Sequence, residues 1–157
     1  SLMLLDKELD HGPIIAQEKI PIEKTDTTET LSLKLANLGA ALFIKTLPKF
    51  LAGEIKPVAQ DHSKAVFTKK FQTPDAFIEH SDLIEAVSGE APYKAEKIDR
   101  FIHALNPEPG TWTKTNEDAV LNMPKNKRIK LLESEVKDEI LILKKIQVEG
   151  GIPKKLD

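Results

Sequence analysis

The fold of this chain is decided around the stretch Leu4-Leu5-Asp6-Lys7-Glu8-Leu9-Asp10-His11-Gly12-Pro13-Ile14-Ile15-Ala16-Gln17. Two short apolar runs flank a polar loop, which predicts a strand, a loop and a second strand. Asp10 lies close to Gly12, which lets backbone approach a ligand, and to Pro13, which opens the next strand. A loop held between two strands is a common place for catalytic residues, but an Asp there can also simply cap the turn.

Length and composition are those of a soluble globular protein. The chain has 157 residues, of which 40% are apolar and 31% charged, enough for one domain or two small ones. No apolar run reaches the roughly 20 residues of a membrane helix, so no membrane contact is expected. The absence of cysteine excludes disulfides and thiolate chemistry, which favours a cytoplasmic location. The chain opens directly into a strand-like run, which indicates a fragment.

A strand over residues 14–22 and then a long helix are predicted. Asp26 and Glu29 have the spacing of a capping box, and Gly53 is suited to end the helix. Pro48 predicts a bend near Lys45. One broad stripe should pack against a sheet or a second domain, because apolar residues recur at helical spacing at Leu31, Leu35, Leu38, Leu42, Phe43, Leu47 and Phe50.

The helical pattern fades over residues 54–72, which we interpret as a connector between two domains. Further along, residues 95–105 have helical spacing, and the helix should stop at Asn106-Pro107 because a residue before proline avoids the helical conformation. Strands are then predicted at residues 111–114, 128–136 and 139–148. A strand-rich unit of this size suggests a small barrel or curled sheet.

Few motifs for chemistry are present. The four histidines lack metal-ligand spacing, so no metal site is predicted, and neither a Gly-rich phosphate loop nor a Gly-x-Ser-x-Gly elbow occurs. The net charge of −2 does not favour nucleic-acid binding by the surface as a whole. A local basic cluster is suited to phosphate contacts, with a solvated surface as the alternative; it consists of Lys125, Lys127, Arg128 and Lys130.

Two stretches resemble folate-dependent formyltransferases. Residues 9–15, Leu-Asp-His-Gly-Pro-Ile-Ile, followed by Asp26-Thr27, resemble the Leu-Asp-x-Gly-x-Ile loop near the end of the catalytic domain. Residues 98–113, Ile-Asp-Arg-Phe-Ile-His-Ala-Leu-Asn-Pro-Glu-Pro-Gly-Thr-Trp-Thr, are similar to the turn that precedes the C-terminal barrel of methionyl-tRNA formyltransferases. The resemblance covers nearly the whole chain and is most specific over residues 9–61 and 96–113.

The resemblance implies an α+β fragment with three parts. Residues 1–53 would be the terminal strands and long helix of a Rossmann-like catalytic domain, residues 54–72 the connector, and residues 73–157 a small, reduced OB-like β-barrel. Two substitutions depart from the family pattern: His103 replaces the usual Arg before Ala-Leu-Asn-Pro, and Glu108 replaces a common Trp. The segment 110–151 is also shorter than the family's barrel.

The resemblance further implies formyl transfer from 10-formyltetrahydrofolate to the amino group of initiator methionyl-tRNA. Asp10 falls on a catalytic Asp of the family, and Leu9, His11 and Gly12 belong to the loop that contacts substrate or cofactor. The family's catalytic Asn and His lie on an Asn-x-His-x-Ser-Leu-Leu-Pro stretch that does not occur in this sequence, so the fragment alone should be inactive. The basic cluster would contact tRNA.

Two other functions stay open at the level of sequence. One is another folate-dependent formyltransferase, acting on a nucleotide sugar or on glycinamide ribonucleotide. The other is a non-catalytic RNA-binding module.

Overall fold

Helices and antiparallel strands make up both parts of the chain, so the α+β prediction is confirmed. The computed structural model describes residues 1–115 and 124–156. The chain divides into a first unit, Ser1–Lys69, and a second unit, Lys70–Asp157. The finer assignment of residues 1–53, 54–72 and 73–157 to a catalytic end, a connector and a barrel stays a prediction.

The first unit begins with a short hairpin. Strand β1, Leu2–Met3, pairs antiparallel with β2, Ile14–Ala16, and the backbone N–H of Leu4 donates to the carbonyl of Pro13 at 2.9 Å. The predicted strand over residues 14–22 is therefore too long. Strand length depends on a paired neighbour, and the described pairing of β2 ends at Ala16.

Helix α1, Thr28–Leu51, fills most of the rest of this unit. Its N-cap is Thr27, whose hydroxyl accepts from the backbone N–H of Thr30, so the predicted cap by Asp26 and Glu29 is wrong. Asp26 instead accepts hydrogen bonds from the backbone of Glu23 and from the amine of Lys34. The helix continues through Pro48 to its end, and Gly53 follows at φ 75° as expected for a residue that ends a helix.

The composition of α1 corrects the expectation that no segment resembles a membrane helix. By length and composition α1 could span a membrane, and 11% of its most apolar window is buried within the structure. A core helix of a soluble protein meets the same test, so this finding alone does not assign a membrane span. The predicted apolar stripe is covered in part: Leu42 is buried, whereas Leu35 is 48% exposed and Phe43 is 49% exposed.

The second unit places two helices against an antiparallel sheet. Helices α2, His80–Ser88, and α3, Pro92–Leu105, come first; α3 is the helix predicted at residues 95–105, whereas α2 was not predicted. The predicted strands after them are confirmed. The sheet has the order β3-β4-β5-β6, with β3 at Trp112–Lys114, β4 at Arg128–Lys137, β5 at Ile140–Val148 and β6 at Lys154–Lys155.

The core of the second unit lies between the helices and one face of the sheet. Its largest fully buried aliphatic side chains are Leu83, Ile102, Ile129, Leu131 and Leu141. The helices are also joined by an ion cluster, because the amine of Lys94 lies 2.6 Å from the carboxylates of both Asp82 and Glu85. Lys94 donates hydrogen bonds to both carboxylates, and these bonds, with the larger effect from Asp82 and the next from Glu85, raise the pKa of Lys94 above its usual range. Closure of the sheet into an OB-like barrel stays a prediction.

Asn106 joins the end of α3 to the sheet. Its side-chain amide donates to the carbonyls of Ile102 at 2.9 Å and Leu131 at 2.8 Å, and its oxygen accepts from the backbone N–H of Thr111 at 3.3 Å. One side chain therefore satisfies the helix end, the turn and strand β4. The helix stops at Asn106-Pro107 as predicted.

Replacing this amide should destabilise the second unit. The Asn106→Ala variant removes the amide donor shared by three carbonyls, those of Ile102, Leu131 and Leu132, and the acceptor of the Thr111 N–H. This loss should lower the free energy of unfolding by about 2–3 kcal/mol. Urea unfolding followed by the fluorescence of Trp112, the single tryptophan, measures this unit. The matched control is Gln147→Ala, which removes one exposed hydrogen bond to the carbonyl of Gly151 and should cost about 0.5 kcal/mol or less. Equal losses in the two variants would contradict the bridging role of Asn106.

Candidate functional site

Asp10 lies at the tip of the loop between β1 and β2 with an exposed side chain. Its φ of 55° is in the left-handed region, which Asp tolerates better than most residues. Gly12 is buried in the same loop, and a Cβ built on it would lie 1.9 Å from the carbonyl oxygen of Leu4. No larger residue fits at this position without moving the backbone, so Gly12 fixes the path of the chain immediately after Asp10.

Gln60 closes the loop from the far end of the first unit. Its side-chain Nε2 donates to the carbonyl oxygens of Asp10 at 2.9 Å and of Gly12 at 2.8 Å. A backbone bridge brings it there, because Ile14 and Val58 exchange two hydrogen bonds of 2.8 Å. Gln60 lies within residues 9–61, where the family resemblance is most specific, but nothing in the sequence around it indicates this contact.

His11 takes part in a second set of contacts at the loop. Its Nδ1 lies 2.6 Å from a carboxylate oxygen of Asp6, and its ring stacks on His62 with centroids 3.5 Å apart. Hydrogen bonding to Asp6 raises the pKa of His11, and the same bond lowers the pKa of Asp6. His11 and His62 are 51 positions apart in the sequence, and only tertiary structure brings their rings together.

The predicted loop residues therefore differ in environment. Leu9 is 96% exposed and Asp10 is exposed, whereas His11 is half-buried and Gly12 is buried. An exposed carboxylate on a braced loop is available to a substrate, and the catalytic role of Asp10 stays a prediction. Among residues 1–115 and 124–156, no group of three or more His, Asp or Glu side chains is arranged to hold a metal ion.

The second predicted site lies at the start of β4. The guanidinium of Arg128 lies over the ring of Trp112, 4.2 Å from its centroid. The ring of Phe77 contacts the same indole, with the two ring centroids 4.6 Å apart. Trp112 also donates its indole N–H to the carbonyl of Thr73 at 2.8 Å. Trp112 is thus a half-buried ring that organises the edge of the second unit.

The register of the sheet places the basic residues around this ring. Lys130 is the cross-strand partner of Trp112, and Arg128 is the partner of Lys114, so all four lie on the face opposite the buried Ile129. The structure thus brings two of the predicted basic residues, Arg128 and Lys130, onto one face of the sheet. The other two, Lys125 and Lys127, precede β4 and are exposed.

Other lysines of the sheet have acidic partners. Lys144 pairs with Glu135 at 2.7 Å, and Lys145 pairs with Glu133 at 2.8 Å. The basic cluster at the start of β4 has no such carboxylate partner in the part of the chain that the structure describes.

Comparison with known families agrees with this arrangement. Residues 1–47, which include the Asp10 loop, match the family model of formyl transferase. Residues 93–141, which include Asn106 and the basic residues, match the formyl transferase C-terminal domain. The two matches together cover more than half of the chain, which belongs to the formyl transferase family. The family predicted from the sequence is confirmed.

Individual relatives carry a more specific name. The chain is 39% identical over 117 residues to the methionyl-tRNA formyltransferase of Kosmotoga olearia, covering 74% of this chain and 34% of the relative. It is 41% identical over 113 residues to the methionyl-tRNA formyltransferase of Dictyoglomus thermophilum, covering 72% and 33% respectively. The chain thus spans about a third of the length of the curated relatives it matches.

The contact between Asp6 and His11 predicts a measurable titration. Because Asp6 favours the imidazolium form, the pair contributes stability below the ordinary histidine pKa and loses it as pH rises through the raised pKa of His11. At the acid end the contribution is lost as pH falls through the lowered pKa of Asp6. Asp6→Asn should bring the pKa of His11 down toward about 6.5, as measured by NMR titration of the ring.

Glu8→Gln is the matched control for this titration. Glu8 affects His11 through its charge and not through a hydrogen bond. Loss of that charge should therefore shift the pKa of His11 less than the loss of Asp6 does. An unchanged His11 pKa in Asp6→Asn would show that the contact does not persist in solution.

Proposed function

We propose that this chain is the C-terminal portion of a methionyl-tRNA formyltransferase. The full enzyme transfers a formyl group from 10-formyltetrahydrofolate to the amino group of initiator methionyl-tRNA. The observation that carries this proposal is the match of one chain to both formyl transferase family models, together with relatives that are named methionyl-tRNA formyltransferases. The proposed activity belongs to translation initiation, for which a cytoplasmic location is proposed.

The chemistry assigns a role to Asp10. The amine nitrogen forms a bond to the formyl carbon, and the bond from that carbon to the folate nitrogen then breaks. In between, an oxyanion forms that hydrogen-bond donors must stabilise. The attacking nitrogen loses a proton while the folate nitrogen gains one, and a fixed carboxylate assists that transfer. Asp10 supplies this carboxylate, and the Asn and His implied by the family resemblance are assigned to the rest of the enzyme.

The basic face of the second unit is assigned to tRNA. Lys125, Lys127 and Lys130 offer positive charge without a described acidic partner, and Arg128 and Trp112 offer a cation and a ring beside them. Phosphate contacts of this kind provide affinity that does not depend on base sequence. In this proposal the sheet forms part of an OB-like barrel, and the first unit forms the end of a Rossmann-like domain.

Removal of the Asp10 charge tests the catalytic role. In the full-length enzyme, Asp10→Asn should lower kcat for initiator-tRNA formylation by about a hundredfold, because the amide cannot accept the proton. Asp138→Asn is the matched control, since Asp138 also has a positive φ, 50°, and lies in the turn between β4 and β5. The control should retain the wild-type rate.

The substrate is tested with the same preparations. Formylation of a nucleotide sugar or of glycinamide ribonucleotide, without formylation of initiator methionyl-tRNA, would replace the proposed function by another folate-dependent transfer. Normal kcat in Asp10→Asn would return Asp10 to the role of a turn residue.

Reversal of charge tests the tRNA surface. Lys127→Glu combined with Lys130→Glu should weaken tRNA binding at least about tenfold, and the slope of log affinity against log salt should fall by about one for each lost phosphate contact. The control is Lys154→Glu combined with Lys155→Glu, an equal charge change on the exposed strand β6. Equal weakening in the two double variants would indicate a general charge effect and contradict a site at β4.

A further inference from the structure

We propose that Gln60 is a positioning residue for formyl transfer, because its side-chain amide fixes the backbone on which the Asp10 carboxylate is carried. This inference rests on the proposed function of Asp10. Gln60 follows α1 and is 50 positions from Asp10 and 48 from Gly12 in the sequence. The inference therefore gives a residue distant in sequence a part in the active site.

The path of the backbone brings Gln60 to the loop. Ile14 and Val58 form an antiparallel bridge with both of their N–H groups donating at 2.8 Å. In antiparallel pairing, two residues before Ile14 face two residues after Val58. Gly12 and Gln60 are therefore opposite each other, and the bridge sets the register for their contact.

The chemistry of the amide suits both partners. Nε2 of Gln60 carries two hydrogens, and it contacts two acceptors, the carbonyl oxygens of Asp10 and Gly12, at 2.9 and 2.8 Å. A carboxylate of the same shape has no hydrogen to donate and would repel both oxygens. A methionine of similar length would leave both without this donor.

The two hydrogen bonds from Gln60 to the loop, called the Gln60 clamp below, stabilise an unfavourable backbone conformation at Asp10. Asp10 has a φ of 55°, which a residue with a Cβ adopts at a cost unless its surroundings hold it there. The two carbonyls bound by Gln60 belong to Asp10 itself and to the residue two positions later. When the clamp is lost, the peptide after Asp10 can rotate, and the carboxylate moves with it.

Other contacts keep the loop attached to the unit. Gly12 packs against the carbonyl of Leu4, and His11 is held by Asp6 and by the ring of His62. Loss of Gln60 should therefore displace the tip of the loop while the unit stays folded. A displacement of this size at a catalytic group lowers turnover more than substrate affinity.

The test uses the full-length enzyme with Gln60→Met, Gln60→Glu and the milder Gln60→Asn. Gln60→Met and Gln60→Glu should lower kcat for initiator-tRNA formylation by about ten- to a hundredfold, with the KM of either substrate changed by no more than about threefold. Gln17→Met is the matched control, because Gln17 is an exposed glutamine of the same unit whose amide donates to the hydroxyl of Ser1. It should retain wild-type kcat.

A double-mutant cycle separates positioning from a general structural effect. If Gln60 acts through Asp10, then Gln60→Met should lower kcat by no more than about twofold when Asp10 is already Asn. A full loss in both backgrounds, or wild-type kcat in Gln60→Met, would overturn the inference. Loss of the folded protein in all three Gln60 variants, judged by thermal unfolding, would show a folding role and also overturn it.

Failure of the proposed function is seen separately. Wild-type protein that does not formylate initiator tRNA, or Asp10→Asn with normal kcat, removes the role of Asp10 without any Gln60 variant. Loss of activity in Asp10→Asn together with wild-type kcat in Gln60→Met removes only the positioning role.

Discussion

In each unit, one side-chain amide holds a segment of irregular backbone through hydrogen bonds. In the first unit it is that of Gln60 at the Asp10 loop, and in the second it is that of Asn106 at the turn after α3. Buried or constrained carbonyl and N–H groups outside helices and sheets still need partners. An amide is suited to this task because it donates twice and accepts as well. Asn106 and Gln60 use it to join chain segments that are distant in sequence, with Leu131 25 residues from Asn106 and Gly12 48 residues from Gln60.

The hydrogen bonds of Asn106 and those of Gln60 have different consequences, because the two side chains lie in different surroundings. Asn106 is placed beside buried strand and helix residues, so its hydrogen bonds contribute to the stability of the second unit. Gln60 holds an exposed loop whose other contacts are made by neighbouring residues. Its hydrogen bonds therefore contribute more to the position of Asp10 than to the folding of the first unit.

The parts of the fold that depend on local sequence were predictable. The end of α3 at Asn106-Pro107 follows from the conformational restriction before proline, and Gly53 follows from the need for a positive φ after a helix. The cap of α1 was missed because Asp26 and Thr27 are adjacent residues that both make good caps, and only the side-chain contacts distinguish them. Helix α2 was missed because nine residues give too little periodicity.

The sequence indicated which residues form the candidate site, but not the contacts between them. The loop around Asp10 was found through its motif, whereas the stack of His11 on His62 joins residues that no spacing rule connects. The extent of β2 was overestimated for a similar reason, since a strand extends only as far as its partner does. Tertiary contacts thus decide the environment of each loop residue, and sequence decides which residue is there.

On the basic face, the contact of Arg128 with the ring of Trp112 gives this arginine a different role from the neighbouring lysines. Arg128 lies over Trp112, and its Nε is buried without a hydrogen-bond partner among the described residues, so this cation is committed to the ring. Lys127 is exposed, and Lys130 is the cross-strand partner of Trp112 on the same face. A lysine amine can reach a phosphate from a mobile stem, whereas moving Arg128 to one would give up its contact with the ring. Arg128 therefore shapes the surface, and the lysines supply the charge that an anion would meet.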